Sequence, residues 1–440
     1  MKYVVIIPDG AADLGLDELG GKTPLQVAKM PHLQALASSG RVGTVATTPP
    51  GWDAGADVCS MCLLGYDPRK FYSGRAPLEA AALGLEVGPT DWVLRLNFVT
   101  VGTPGNEDAG LMVDHSAGGI SDREARALLE DLVAYWRVKA PELMADVAVH
   151  PGVGYRNILV DSSRTRDYAK VNTTPPHTIG RQLWSKFLPS GGAGDAAGLV
   201  QQLMSLSSEV LPGHEVNLAR IEQGLRPANM VWIWGPGNSP SLPSFESRFG
   251  LKGSMITAVD LLAGISRYIG WERLSVPGLA STHDNDYAAQ GRATVDAIDK
   301  FDIVCCHVES PDEASQKGDV RTKILALEAI DHAIVGPVVE KLKSFGDPEK
   351  DAAAEGWRVM VVPNHYTLVS TRKVDATPVP FMIAGAWVRS MVQRALTEAD
   401  ANLSDLKISE GAELMEYFLR GGLRNTGAKS LGARNHVERN

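Results

Sequence analysis

A loop runs into a short helix at Gly55-Ala56-Asp57-Val58-Cys59-Ser60-Met61-Cys62-Leu63-Leu64-Gly65-Tyr66-Asp67-Pro68. Apolar residues recur at helical spacing within it, and Gly65 with Pro68 predicts where the helix ends. The first turn of a helix presents free backbone N–H groups and a partial positive charge to whatever lies in front of it. The segment is therefore a natural place to hold an anion.

The composition is typical of a globular protein without a nucleic-acid or membrane partner. The chain has 440 residues, of which 44% are hydrophobic, and a net charge of −9 with no dense basic run. This charge excludes nucleic acid and anionic membranes as expected partners. Because no apolar run reaches the roughly 18 residues of a membrane span, and Met1-Lys2-Tyr3 leads directly into a strand, we expect a cytoplasmic protein without a signal peptide.

The cysteines are too sparse for a disulfide framework. Cys59 and Cys62 form a C-x-x-C, and Cys305 and Cys306 are adjacent. A C-x-x-C can serve redox or metal chemistry, or it can be a pair of small apolar residues on one helical face. Since no second C-x-x-C is available to complete a zinc site, the packing role is favoured.

Alternation of strand and helix patterns predicts an α/β fold. The apolar, β-branched run 3–8 is typical of a strand buried on both faces of a parallel sheet. The predicted helices are 24–39, 122–139, 195–210, 215–223, 257–269, 287–299, 320–344 and 409–419. The further predicted strands are 92–101, 146–150, 158–161, 230–234, 274–276, 302–308, 357–362 and 380–384.

The middle of the chain differs from its two ends, which predicts an inserted domain. We expect a doubly wound, mostly parallel core in residues 1–110 and 192–440, and an inserted α+β cap domain in 111–191. The glycine-rich segment 190–194 is predicted to be a flexible join. The tail from about residue 421 is polar and predicted to be loose.

Acidic and histidine side chains follow several predicted strands. Asp9 follows the first strand, the run from His307 to Ala314 contains the end of another, and Asn364-His365 follows a third. The carboxyl ends of parallel strands meet at one edge of a sheet, where α/β proteins build their sites. Such groups could coordinate divalent cations, although each alone is more often a capping or salt-bridging residue.

The chain resembles the archaeal-type cofactor-independent phosphoglycerate mutases of the alkaline phosphatase superfamily. The blocks that carry this resemblance are Thr23-Pro24-Leu25, Leu63 to Pro68, Ser73 to Ala80, Val113 to Gly118, Trp232 to Gly235, His307 to Ala314 and Pro378-Val379-Pro380. They run nearly from end to end. The resemblance implies an alkaline-phosphatase-like core and a phosphorylated small-acid substrate.

The resemblance also implies a phosphorylated serine and two metal sites, and here the chain departs from the family. Ala56 stands where the serine is expected. At one metal site Asp312 matches, but Gln316 replaces a histidine and the third position falls at about Val374. At the other site Asp9 and His365 match, but Asn364 replaces an aspartate. The implied ligands Asp9, Asp312 and His365 thus form incomplete sites, which we expect to be empty of Mn, Zn, Co or Mg; no other cofactor is expected.

The remaining site residues are also carried over from the resemblance. Asp9, Asp57, Asp312 and His365 are the candidate catalytic residues. The candidate substrate-binding residues are Arg75, Asp114, His115, Arg156 and His177. Gln290 stands where the family has a lysine, and the loop from Gly278 departs from the family pattern. Arginine suits bidentate capture of phosphate or carboxylate, whereas a plain salt bridge is the alternative role.

Two further groups are open to more than one interpretation. Ser60 lies one helical turn beyond Ala56 and could replace the missing nucleophile, but a serine inside a helix more often packs or caps. His283, Asp284 and Asp286 could serve acid–base catalysis without metal, or they could be a solvated loop.

Three functions remain in competition at the level of sequence. The first is a diverged enzyme that acts on a phosphorylated or phosphonate-like acid by group transfer, isomerisation or elimination, without the two-metal phosphoserine step. The second is a catalytically silent relative that binds a ligand or a partner protein. The third is an active phosphoglycerate mutase with unusual ligands. Oligomeric state is left open by the sequence.

Overall fold

A computed structural model of the chain describes residues 1–390 and 392–422. The strands are β1 Lys2–Pro8, β2 Arg41–Val45, β3 Trp92–Val101, β4 Met112–Asp114, β5 Val147–Pro151, β6 Arg156–Asp161, β7 Asp167–Asn172, β8 Ser190–Ala193, β9 Met230–Asn238, β10 Gly253–Ile256, β11 Glu272–Arg273, β12 Ile303–Val308, β13 Trp357–Val361, β14 Tyr366–Leu368, β15 Lys373–Asp375, β16 Val379–Gly385 and β17 Lys407–Ile408.

Helices connect most of these strands. They are α1 Pro24–Val27, α2 Pro31–Ser39, α3 Ala56–Leu63, α4 Pro68–Phe71, α5 Arg75–Ala82, α6 Asp122–Lys139, α7 Pro141–Met144, α8 Ala196–Val210, α9 Glu215–Glu222, α10 Phe245–Phe249, α11 Asp260–Tyr268, α12 Tyr287–Ile298, α13 Ser310–Lys317, α14 Val320–Ile330, α15 Gly336–Lys343, α16 Glu398–Asn402 and α17 Leu414–Leu419. Within the described ranges, no helix combines the length and apolar character needed to cross a bilayer.

The chain divides into two compact units. The first comprises Met1–Tyr72 and Leu242–Asn440, and the second comprises Ser73–Ser241. We call them the core unit and the cap unit.

The core unit is built on an eight-stranded sheet in the order β11-β10-β12-β1-β13-β16-β2-β17. Neighbouring strands are parallel except where β16 meets β13 and β2. The strand β1 lies between β12 and β13, parallel to both, and its residues Val4–Ile7 are completely buried. A continuous apolar run is what a strand covered on both faces requires. The predicted α/β fold with a mostly parallel sheet is thus confirmed.

The cap unit contains an antiparallel sheet centred on β3. This strand pairs with β6 and β9 along most of its length and with β4 at its end. Two helices, α6 and α8, cover the sheet, and the indole of Trp136 donates a hydrogen bond to the Leu203 carbonyl in the interior. The helix α6 begins at a capping box in which Ser121 and Glu124 satisfy each other's free backbone N–H groups.

The boundaries of the cap unit differ from the predicted 111–191. Strands β3 and β9 pair with each other inside the cap unit, although the predicted boundaries place both in the core. An apolar run indicates that a strand is buried, but it does not identify the sheet that buries it. The boundary of the cap unit therefore depends on the pairing of β3 with β9, which lie more than a hundred residues apart in the chain.

Several predicted elements were wrong in detail. The segment predicted as a flexible join forms β8, which pairs with β7. The helix predicted at 24–39 is broken before Pro31, because proline cannot donate the backbone hydrogen bond that a continuous helix needs. The helix predicted at 320–344 is interrupted by a π-helical turn at Asp331–Val335. The tail beyond residue 422, predicted to be loose, lies outside the described residues.

A fully buried ion pair ties three segments of the core unit together. The Lys323 ammonium lies 2.8 Å from Asp13 Oδ2 and also donates to the Thr367 carbonyl. Asp13 in turn accepts the Val369 amide, and its own backbone N–H donates to Glu398. Burial lowers the pKa of Lys323, although the Asp13 carboxylate opposes this effect.

Replacement of Lys323 by methionine is expected to destabilise the core unit strongly. The change leaves the buried Asp13 carboxylate without its cation, which typically costs about 3–5 kcal/mol. Urea unfolding followed by circular dichroism measures the loss. Lys317→Met is the matched control, because its ion pair with Glu313 is exposed and its loss should cost less than about 0.5 kcal/mol. Equal unfolding midpoints for the two variants would contradict the assignment.

Candidate functional site

Three side chains meet where the adjacent parallel strands β1 and β12 end. Asp9 directly follows β1, while His307 and Glu309 lie at the end of β12, and the strand register places His307 opposite Ile7. His307 Nε2 is 2.8 Å from Asp9 Oδ2 and 3.6 Å from Glu309 Oε2. The other ring nitrogen, Nδ1, is 3.0 Å from the Thr257 hydroxyl. The predicted convergence of acidic and histidine groups at this edge is therefore formed locally by these three residues.

A second set of polar side chains lies on the other side of Asp9. His365 Nε2 is 3.3 Å from Asp9 Oδ1, and His365 Nδ1 is 3.1 Å from the Thr367 hydroxyl. Thr367 donates to Asp312 Oδ1, and the Gln316 amide donates to Asp312 Oδ2 over 2.6 Å. Both carboxylate oxygens of Asp312 thus accept hydrogen bonds. The structure brings the predicted residues Asp9, Asp312 and His365 together.

Burial is the largest influence on the pKa values of the acidic and histidine side chains at this edge of the sheet. It raises the pKa of both Asp9 and Glu309 well above the usual carboxyl range, and the charge of Asp312 adds to the effect on Asp9. Burial also lowers the pKa of His307 to about 4 and lowers that of His365. The two imidazoles are therefore neutral at pH 7. A proton or a cation must offset the carboxylate charge.

The helix predicted in this segment is α3, which begins at Ala56 with Gly55 as its N-cap. The first helical side chain is consequently a methyl group. Next to it, Asp57 is buried and accepts a 2.5 Å hydrogen bond from the Tyr72 hydroxyl. Ser60, the alternative nucleophile, is completely buried, and its hydroxyl has no hydrogen-bond partner among the described residues.

The cysteines of this helix are buried free thiols. Cys59 lies 3.4 Å from the Thr48 hydroxyl. Burial raises the pKa of Cys59 and of Cys62, which keeps both protonated. A protonated buried thiol is a poor nucleophile and a poor metal ligand. These properties favour the packing role.

The other positions that depart from the family pattern are occupied by neutral groups. Gln290 is completely buried; its amide donates to the His307 carbonyl and accepts from Asn285. Asn364 Oδ1 accepts the His365 backbone N–H over 2.9 Å. Val374 lies opposite Thr367 in the hairpin of β14 and β15, so position 374 is close to the Asp312 hydrogen-bond network.

In the cap unit, a separate group of cationic and aromatic side chains lies on the antiparallel sheet. The Arg95 guanidinium stacks 4.1 Å over Trp234 and pairs with Glu79. The His177 ring contacts both Trp234 and His115, at centroid distances of 6.1 Å. Arg156 lies 5.1 Å over Tyr155, whose ring meets His115. We call Arg75, Arg95, His115, Arg156 and His177 the cationic cluster.

The members of the cationic cluster influence one another electrostatically. Burial lowers the pKa of Arg95, and the neighbouring charges of Arg75 and Arg156 lower it further. Partial burial lowers the pKa of His177, with additional contributions from His115, Arg95 and Arg75. Like charges gathered at one place repel, and an anion among them would reduce that repulsion.

Asp114 occupies a different position from the other predicted substrate-binding residues. Its carboxylate accepts from Ser116 and pairs with Arg226 over 2.5 Å. Partial burial alone would raise the pKa of Asp114, but these hydrogen bonds lower it below the usual range. Asp114 therefore orders its own turn, and this role does not require a substrate.

Sequence reasoning missed Arg95 and Trp234 as members of the site. One signal was available for Arg95, since it is a charged residue inside the otherwise apolar strand Trp92–Val101. Such a side chain must find a partner or face a site. The loop residues His283 and Asp284 are exposed, and Asp286 caps α12 by accepting the Ala289 N–H. These contacts favour the solvated-loop interpretation.

Known proteins resemble both units of the chain. Residues 37–217 match the family described as 2,3-bisphosphoglycerate-independent phosphoglycerate mutase. A protein of that name from Methanothrix thermoacetophila is 40% identical over 96% of this chain and 100% of its own length. A second, from Methanothermobacter thermautotrophicus, is 39% identical over 95% of this chain and 97% of its own.

Solved structures extend the comparison to the fold. The cofactor-independent phosphoglycerate mutase of Thermoplasma acidophilum superposes with a TM-score of 0.61 at 25% identity, over 96% of this chain and 100% of that one. A protein of Pyrococcus horikoshii superposes with a TM-score of 0.77 at 23% identity, over 97% and 99% of the two chains. The fold is thus shared along nearly the whole length.

His177 is expected to titrate below the ordinary histidine value of 6.5, because partial burial and the neighbouring cations disfavour its protonated form. The Cε1–H signals of histidine-labelled protein, followed by NMR between pH 4 and 8, measure the midpoint. The variant His115→Gln removes one neighbouring group that lowers the pKa of His177, so it should raise the titration midpoint of His177. The exposed His283→Gln should leave it unchanged. A midpoint at or above 6.5 in the unaltered protein would refute the electrostatic account.

Proposed function

The chain belongs to the 2,3-bisphosphoglycerate-independent phosphoglycerate mutase family, and from that premise we propose that it acts on a small phosphorylated or phosphonate-like carboxylic acid. We further propose that it does so without the two-metal phosphoserine step, by group transfer, isomerisation or elimination. The two parts of this proposal depend on different residues. The first depends on the cap unit and the second on the core unit.

The cationic cluster is the observation that supports the proposed class of ligand. Arg75 and Arg156 lie close enough to Arg95 to lower its pKa, and Glu79 pairs with Arg95. Guanidinium groups bind phosphate and carboxylate through paired N–H donors. A ligand that carries both groups matches several arginines better than a monoanion does. This reasoning favours a phosphorylated or phosphonylated acid.

The substitutions in the core unit support a different chemistry. Ala56 offers no oxygen to carry a phosphoryl group. The resemblance implies a metal-binding histidine at position 316. Instead, the Gln316 amide donates a hydrogen bond to Asp312 Oδ2. Neutral amides are much weaker ligands than imidazole or carboxylate in such sites. These side chains do not fit two complete cation sites, and no step through such a pair of ions is proposed.

The ordinary mutase reaction remains the second candidate. It is favoured by the full-length similarity to relatives that carry the mutase name. A catalytically silent binding protein is the outcome that would remain if ligands bind and nothing turns over. Binding and turnover must therefore be measured separately.

Binding of 3-phosphoglycerate or phosphonoacetate is expected to require Arg156. Loss of a hydrogen bond to a charged partner costs about 1.5–3 kcal/mol, so Arg156→Gln should weaken binding roughly 10- to 150-fold in isothermal titration calorimetry. Arg137→Gln, at the exposed end of α6 in the same unit, is the control and should bind normally. Absence of binding in the unaltered protein, or equal affinities in both variants, would argue against the cationic cluster as the ligand site.

The unaltered protein is expected to interconvert 2- and 3-phosphoglycerate at a rate several orders of magnitude below that of the Methanothrix relative, with Mn²⁺ supplied to both. A missing covalent nucleophile typically costs this much. Phosphorus NMR follows the reaction, and the same spectra from phosphonate incubations report any alternative product. Ala56→Ser alone should restore little activity, because the other ligand positions stay neutral. Turnover within tenfold of the relative would establish the ordinary mutase instead.

A further inference from the structure

A cleft rich in arginine lies in the core unit, at the edge of the sheet opposite to Asp9. Because β16 is antiparallel to both β2 and β13, and β13 is parallel to β1, the strand β2 runs in the same direction as β1. Arg41 begins β2, so it lies at the amino edge, whereas Asp9 follows the carboxyl end of β1. We call this space of about 260 Å³ the amino-edge cleft; its polar lining includes Arg41, Arg389, Arg394, Ser404 and Asp405.

Positive charge exceeds negative charge in the amino-edge cleft. Within the described ranges, the Arg41 guanidinium contacts the Gly422 carbonyl and the Tyr417 ring. The Arg394 guanidinium likewise contacts backbone carbonyls, those of residues 400 and 403. Arg389 is the arginine of the three that pairs with an acid, Glu349. Asp405 is an exposed carboxylate of the lining, so two acids stand against three arginines.

A buried arginine adds to the positive charge at this edge of the sheet. Arg358 lies on β13 and Arg41 on β2, and the single strand β16 separates them. Arg358 is only 4% exposed, and burial lowers its pKa. Its guanidinium donates to the carbonyls of Ala386, Phe418 and Leu419. Since a buried cation is normally matched by a carboxylate, a buried arginine held by carbonyls is a second, independent indication that this edge lacks negative charge.

We propose that the amino-edge cleft binds a small phosphate-bearing anion, held by Arg41 and Arg394. A guanidinium group has five N–H donors, of which carbonyls engage one in Arg41 and two in Arg394. The remaining donors suit the oxygens of a phosphate group. Pockets for drug-sized ligands measure about 300–1,000 Å³, so the smaller volume of this cleft favours inorganic phosphate or a small phosphate ester. This site is independent of the proposed function.

A purely structural role for the two arginines would have a different consequence. Arg394 donates to the Leu403 carbonyl just beyond α16, which is a common way to close the C-terminal end of a helix. Arg41 similarly holds the Gly422 carbonyl. These contacts fix the side chains in place, but carbonyl groups do not neutralise their charge. If the two arginines served structure alone, the cleft would show no affinity for added phosphate.

The experiment uses the full-length chain with Arg156→Gln, so that the cationic cluster of the cap unit is already weakened. The probes are inorganic phosphate and glycerol 2-phosphate, which carry no carboxylate, and phosphorus NMR follows their titration. Binding should saturate, and the tighter probe tells whether the cleft prefers free or esterified phosphate. Adding Arg41→Gln or Arg394→Gln should weaken binding about tenfold or more, because each removes hydrogen bonds to a charged group. Arg321→Gln, which removes an exposed arginine of α14, is the control and should bind normally.

A variant that gains affinity keeps the test decisive if the arginine variants do not fold, as judged by circular dichroism. Asp405→Asn removes the exposed carboxylate of the cleft, so phosphate should bind about two- to fivefold more tightly. The proposal would be overturned by a lack of saturable binding up to about 10 mM probe, by equal affinities in the Arg41→Gln and Arg321→Gln variants, or by an unchanged affinity in Asp405→Asn. Since Arg156→Gln is present throughout, none of these results bears on the ligand proposed for the cap unit.

Discussion

The placement of β1 between two parallel neighbours determines where the polar groups of the core unit lie. Its apolar residues are covered on both faces, so the strand cannot slip in register without exposing them or burying Lys2. With the register fixed, the residues that follow β1, β12 and β13 must emerge at the same edge. Asp9, His307 and His365 are therefore buried together as a direct consequence of the hydrophobic pairing.

Burial at this edge is tolerable because most of the polar atoms there are matched with one another. Gln290 closes the end of β12 by donating to the His307 carbonyl, and Gln316 donates to Asp312. Both are amides at positions where the family resemblance implies a charged or metal-binding side chain. A satisfied amide network of this kind can stabilise the buried edge of the sheet.

Local patterns predicted the elements well and their partners poorly. The strand Trp92–Val101 and the helix Asp122–Lys139 were identified from the sequence, because periodicity and capping are properties of neighbouring residues. The pairing of β3 with β9 joins residues far apart in the chain, and no local pattern encodes it. Asp9, Asp312 and His365 could be named from the resemblance, whereas the stacking of Arg95 on Trp234 and the burial of Glu309 Oε2 without a hydrogen-bond partner among the described residues arise from contacts between distant segments.

The cationic cluster and the buried carboxylates of Asp9 and Glu309 belong to different units, and the two groups carry charges of opposite sign. The arginines repel one another, and Arg95 is held in place by Glu79 and by stacking on Trp234. An anion relieves that repulsion, whether or not a metal is present. The carboxylates of Asp9 and Glu309 also repel, and only a proton or a cation relieves them. The two groups of side chains therefore differ in what balances their charge: an anion suits the arginines, and a proton or a cation suits the carboxylates.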